Sequence, residues 1–130
     1  MTKALVVEDE RDIRNLLVSD LKDRGYQVRE AENGEIALQQ IRELTPDIIF
    51  VDIMMPVMDG NDLIANLRSN AETSRIPLVI VTALKFHETR GQARMFGVEY
   101  QLTKPWEWWA LDAVLTKVLG PAAPVASPLK

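Results

Sequence analysis

The sequence predicts a doubly wound α/β domain, and three observations carry that reading. Short apolar runs alternate five times with stretches of helical periodicity, a pattern that requires crossover connections and a parallel sheet covered on both faces. The runs in 3–8, 48–51 and 76–81 are nearly continuous in apolar residues, as strands buried on both sides must be. Those at 26–31 and 99–103 mix polar with apolar residues, which suits edges. The order 2-1-3-4-5 follows, the flavodoxin-like member of the two common doubly wound arrangements.

Each element has its own signal. Strand one ends in the acidic run Glu8-Asp9-Glu10, and Ile13, Leu16, Leu17 and Leu21 then recur as one face of a first helix. Gly25 stands at a plausible position for ending it. Strand two is followed by Asn33-Gly34, read as a turn, and by a second helix with Ile36, Ala37, Leu38 and Ile41. Pro46 closes that helix and introduces Ile48-Ile49-Phe50-Val51, with Asp52 where the apolar run stops. Pro56 and the turn pair Asp59-Gly60 lead into a third helix, from about Asn61 to Asn70, with Leu63, Ile64 and Leu67 inward. Strand four ends at Thr82. A weaker helix over 85–96 is diluted by Gly91 and capped by Gly97. Strand five leads to Lys104-Pro105, and a last helix over 106–119 ends at Gly120-Pro121. In that helix Trp108 shares a face with Leu111 and Leu115 and is expected in the core, whereas Trp109 lies off that face and is expected at the surface.

Length and composition exclude several classes. One hundred and thirty residues make one domain that buries about two-thirds of its unfolded surface. The expected division is a domain over 1–120 and a Pro/Ala-rich tail or severed linker over 121–130. With 47% hydrophobic and 26% charged residues the chain is neither disordered nor a membrane span. Strand one begins too soon after Met1 for a signal peptide. The absence of cysteine rules out disulfides and agrees with a cytoplasmic setting. A net charge of -4 argues against nucleic-acid binding by this domain, because phosphate contacts need a basic face.

In an open α/β sheet, ligands gather at the carboxyl ends of the strands. Glu8, Asp9, Asp52, Thr82 and Lys104 all stand there. Singly, each has an ordinary reading. Asp52 begins a turn, Glu8 and Asp9 favour the positive start of a helix, Thr82 is a β-former and Lys104 a surface cation. Joint placement at four strand ends overturns those readings. Over about residues 3–119 the chain resembles the receiver domains of two-component response regulators, of the chemotaxis-regulator type. The resemblance lies in Val-Val-Glu-Asp-Glu after strand one, Val-Asp-Ile-Met-Met-Pro-Val-Met-Asp-Gly around strand three, Val-Thr-Ala after strand four and Leu-Thr-Lys-Pro after strand five.

The resemblance implies that Asp52 accepts a phosphoryl group from a sensor histidine kinase or phosphotransfer protein. Glu8, Asp9, Asp52 and the backbone carbonyl of Met54 would hold Mg²⁺, with Thr82 and Lys104 assisting. Residue chemistry agrees. Crowded acids stay ionised only with a cation among them, and few carboxylates with all-oxygen ligands suit Mg²⁺. A carboxylate can attack phosphorus to form an acyl phosphate, and Lys104 brings a point charge to the transferring oxygens. The resemblance further implies an output face made by the helix over 85–96, strand five and the last helix, for a downstream target or a homodimer. There the usual aromatic switch position is Gln101, with Tyr100 pointing to the opposite side of the strand. Met54 and Leu84, two beyond the acceptor and two beyond the threonine, are apolar and imply a long-lived phosphoaspartate. His87, the only histidine, reads as a surface residue, and Met54, Met55 and Met58 as packing.

Two other functions are weighed against the residues. An aspartyl-phosphate hydrolase expects a second Asp two residues after the nucleophile, where this chain has Met54. A flavin carrier needs a phosphate-cradling loop after strand one, and Glu8-Asp9-Glu10 would repel a phosphate. The remaining alternative is the N-terminal regulatory fragment of a larger regulator whose effector domain, for example a DNA-binding one, lies elsewhere.

Overall fold

The apolar runs become one parallel sheet. The computed structural model describes residues 1–53, 58–83 and 100–125. Within them β1 (Lys3–Val7), β2 (Gln27–Ala31), β3 (Ile48–Asp52), β4 (Leu78–Thr82) and β5 (Tyr100–Thr103) pair in the expected order β2-β1-β3-β4-β5. Every pairing is parallel. The helices among the described residues are α1 (Arg11–Asp23), α2 (Gly34–Glu43), α3 (Gly60–Ser69) and α4 (Trp108–Leu119). The helix expected over 85–96 lies outside the described residues, together with Met54, Met55, Pro56, Leu84 and His87. No helix among the described residues is long and apolar enough to cross a membrane.

Side chains alternate across a strand, so the sheet divides two cores. Ile49 and Val51 of β3 join Leu5, Val7, Leu78 and Ile80 beneath α2 and α3. Ile48 and Phe50 join Ala4, Val6, Val79 and Leu102 beneath α1 and α4. β3 and β4 are buried at every residue, whereas β2 and β5 are partly exposed. That contrast is the one expected between central and edge strands.

Local chemistry sets the helix ends. Gly25 sits at φ +89, where a side chain would be strained, and it donates to Lys22 while Tyr26 donates to Leu21. This is a Schellman ending for α1. Asn33 and Gly34 do not make a free turn. Asn33 caps α2 by accepting from the Ile36 amide at 2.9 Å, and Gly34 is the first helical residue. Asp59 caps α3 in the same way through the Asp62 amide. Gly60 has a separate reason to be glycine: a Cβ there would fall 2.4 Å from the carbonyl oxygen of Asp52 and from Cα of Ile53. Ile76 is buried but precedes β4 rather than starting it.

Two expected core positions are corrected. Leu16 is 50% exposed, and Val18 is buried with Leu17 and Leu21. Each helical residue advances by about 100°, so Leu16 and Val18 flank Leu17 on opposite sides and the protein covers only the Val18 side. Trp108 is 56% exposed although Leu111 and Leu115 on its face are fully buried. Helical side chains lean toward the helix N-terminus; at the first position of α4 this carries the Trp108 indole past the core. Trp106 packs against that core instead. Trp109 is exposed, as expected, and Ala123 at the start of the tail packs onto the domain.

Candidate functional site

Three strands deliver acids or a hydroxyl to one end of the sheet. Glu8 follows β1, Asp52 ends β3 and Thr82 ends β4, and all three are buried. Register puts Asp52 beside Val81, one residue before Thr82, and Thr82 beside Thr103, one residue before Lys104. The Lys104 amide then donates to the Thr82 carbonyl at 2.8 Å, which fixes the start of the loop that carries the lysine. Its ammonium forms ion pairs with the Glu8 carboxylate and with Oδ2 of Asp52, the latter at 3.3 Å.

Glu8, Asp9 and Asp52 each turn one carboxylate oxygen inward, and the three oxygens lie within 4.8 Å of one another. Oδ1 of Asp9 is buried with no hydrogen-bond partner among the described residues. Burial pushes the Glu8 carboxyl up to about 8, and the hydrogen bond and charge of Asp52 push the same way while Lys104 opposes them. For Lys104 burial works against the charge, but the contacts with Glu8 and Asp52 outweigh it and hold the ammonium above its usual pKa. A buried carboxyl that resists ionisation, beside two more inward carboxylate oxygens and an Asp9 oxygen with no hydrogen-bond partner among the described residues, has the chemistry of a hard-cation site.

All the described residues expected in the site are therefore brought together: Glu8, Asp9, Asp52, Thr82 and Lys104. The Met54 carbonyl lies outside the described residues. Gln101 is half-buried on β5, its amide 3.4 Å from the Thr103 hydroxyl, while Tyr100 packs on the α1–α4 core. Supporting residues were missed. Arg14 donates to the Glu8 carbonyl at 2.9 Å and pairs with Glu30. Gly60 lies against the Asp52 backbone, and its amide donates to Ile53 at 3.2 Å. Nothing local in the sequence signals these contacts apart from the Asp59-Gly60 pair.

Comparison with known proteins agrees with this geometry. Residues 4–116 match the family described as the response regulator receiver domain. The phosphate regulon transcriptional regulatory protein PhoB of Escherichia coli is 35% identical over 124 residues, which cover 95% of this chain and 54% of PhoB. The chain thus spans about half the length of the curated relatives it matches. The chemotaxis protein CheY4 of Vibrio cholerae superposes with a TM-score of 0.85 at 30% identity, covering 91% of this chain and 98% of that one. The receiver domain of the Pseudomonas aeruginosa sensor histidine kinase PA1611, which has a magnesium ion coordinated in its active-site cleft, shares the fold with a TM-score of 0.82 at 24% identity, over 91% of this chain and 97% of its own. With the family match running from β1 into α4 and the sheet order in agreement, the chain belongs to the response regulator receiver domains of two-component systems.

Proposed function

We propose that this domain is a phosphoacceptor switch, in which Asp52 takes a phosphoryl group from a histidine kinase or phosphotransfer protein. The observation that carries the reading is the buried Asp52 carboxylate, gathered with two inward acids and paired with the Lys104 ammonium, which also reaches Glu8. An oxygen of Asp52 attacks phosphorus, the phosphorus–nitrogen bond of the donor breaks, and its electron pair leaves with the imidazole. Lys104 meets the developing charge on the phosphoryl oxygens, and the Thr82 hydroxyl supplies a donor. Glu8, Asp9 and Asp52 would hold Mg²⁺, which would supply further positive charge to the same oxygens. The domain catalyses its own phosphorylation and dephosphorylation and does not turn over a separate substrate.

The energy scale suits a switch. Carrying a two-state equilibrium from mostly off to mostly on needs about 5.5 kcal/mol. Two new hydrogen bonds to a charged group, at roughly 1.5–3 kcal/mol each, reach that range. The output face would include β5 with Gln101 and α4 with the exposed Trp109, meeting a downstream protein or a second copy in the cytoplasm without contacting nucleic acid or membrane. Coverage of about half of PhoB supports a second reading, that the chain is the regulatory part of a longer regulator.

Acetyl phosphate with Mg²⁺ tests the proposal. Mass spectrometry should find one phosphoryl group on the parent protein and none on Asp52→Asn, and Asp9→Ala should need a higher Mg²⁺ concentration for the same labelling. Equal labelling of Asp52→Asn would overturn the assignment.

A further inference from the structure

We propose that Asp20 and Trp106 form a clasp that positions Lys104 against Asp52, which makes both of them positioning residues for phosphoryl acceptance. The inference rests on the phosphoacceptor reading for its consequence, but its geometry stands alone. Lys104 reaches Asp52 at the end of a long side chain, and the placement of its backbone limits where the ammonium can reach. On the upstream side that backbone is held by the hydrogen bond its amide donates to the Thr82 carbonyl. Downstream, Pro105 has no amide hydrogen to donate.

The next fixed point is Trp106, whose Nε1 donates to Oδ2 of Asp20 at 2.9 Å. A bond from indole to carboxylate is charge-assisted, stronger than a neutral pair. The main-chain carbonyl of Asp20 also accepts from Arg24 at 2.7 Å. The same guanidinium donates to the Trp108 carbonyl at 3.1 Å and to Asp112 at 2.6 Å. The loop from Lys104 to α4 is thus clipped to α1 at Trp106 and again at Trp108. Two residues of chain span at most about 7 Å, so little slack separates the Trp106 anchor from Lys104.

The other end of α1 holds the acids. Arg14, in its first turn, donates to the Glu8 carbonyl. One helix of 13 residues therefore ties the loop of metal-side acids at its start to the lysine loop at its end. It acts as a strut that holds in place the two loops whose charges meet beside Asp52. A purely structural contact would have a different signature: it would affect stability and leave the lysine where it is.

The test uses Trp106→Phe, which keeps a ring and removes the donor, Asp20→Leu, which removes the acceptor, and Asp20→Asn, which retains one. NMR of isotope-labelled lysine, with Lys104 assigned through Lys104→Arg, reads the ammonium directly in the metal-free protein. Trp106→Phe and Asp20→Leu should collapse the distinct Lys104 signal toward that of an exposed lysine, and Asp20→Asn should restore it. Calorimetric Mg²⁺ affinity should stay within about twofold of the parent, while labelling of Asp52 by acetyl phosphate falls roughly tenfold. An unchanged Lys104 signal in both removal variants overturns the clasp, and so does loss of Mg²⁺ binding in step with thermal stability. If the parent itself takes no phosphoryl group, the phosphoacceptor reading falls and the lysine signal still decides the clasp.

Discussion

Gly60→Ala and Gly34→Ala make a matched pair, because the two glycines occupy the same place in their helices. Each is the first residue after a side-chain cap, Asn33 before α2 and Asp59 before α3. The helical preference of alanine over glycine, at most about 1 kcal/mol, therefore helps both equally. What differs is what the new methyl meets. At position 34 it lands 2.8 Å from Cγ and Sδ and 2.9 Å from Cβ of Met58, a half-buried side chain in the loop before α3 rather than strand backbone. At position 60 it lands 2.4 Å from the Asp52 carbonyl oxygen and Cα of Ile53. Ordinary carbon contacts begin near 3.5 Å, so the backbone at the end of β3 would have to move by about 1 Å. Overpacking costs about 1–3 kcal/mol. The upper end applies at position 60, because β3 is bonded to strands on both sides, and the lower end at position 34. With an unfolding entropy near 2.1 cal/mol/K per residue, each kcal/mol shifts the midpoint of a chain this size by about 4 °C. Differential scanning calorimetry should place Gly60→Ala roughly 8–12 °C below the parent and Gly34→Ala within about 4 °C of it. Equal midpoints, or Gly34→Ala as the weaker protein, would refute the argument from close approach.

Tyr26 is buried, its hydroxyl has no hydrogen-bond partner among the described residues, and burial raises its pKa from 10.0 to about 12. The folded state therefore resists the charged form: stability is intact below pH 10 and is lost as pH rises toward 12, by up to about 3 kcal/mol. Urea unfolding of Tyr26→Phe should show a shallower alkaline decline than the parent, and parallel declines would count against the assignment. Arg24→Met should cost about 3–5 kcal/mol, because it removes a buried guanidinium that bonds Asp112 at 2.6 Å and the carbonyls of Asp20 and Trp108. Adding Asp112→Leu should recover part of that in chemical denaturation, whereas an additive double mutant would mean the pair is not coupled. Trp109→Ala removes a side chain that is 59% exposed, so stability should change by less than about 0.5 kcal/mol. Sedimentation with beryllofluoride should nevertheless show weaker self-association than the parent, and unchanged assembly would remove Trp109 from the interface.

The parts of the fold that could be read from the sequence are those encoded in consecutive residues. Runs such as Ile48–Val51 locate buried strands because burial on both faces demands apolar residues at every position. Strand order and the gathering of Glu8, Asp9, Asp52, Thr82 and Lys104 followed from the alternation of elements. Periodicity told less about the helices, since it gives a face and not its limits. Leu16 and Val18 flank the same stripe, and only the packing chooses between them. Trp108 has the right phase and the wrong position, one turn too early to reach the core. Pairs such as Arg24 with Asp112, separated by 88 residues, leave no local trace.

The division into two cores has a consequence for how the molecule can change. The sheet works as a bulkhead: mutations on the α2–α3 side and on the α1–α4 side share few contacts, so their effects should add, and each side is free to drift without the other. Strand alternation continues that division to the sheet's end. Asp52 follows Ile48 and Phe50 on the α1–α4 side, Lys104 follows Leu102 on that side as well, and Thr82 follows Leu78 and Ile80 on the other. A group bound at Asp52 would thus find one partner on each side of the bulkhead. The carboxyl edge is where two otherwise insulated halves of the protein receive the same message.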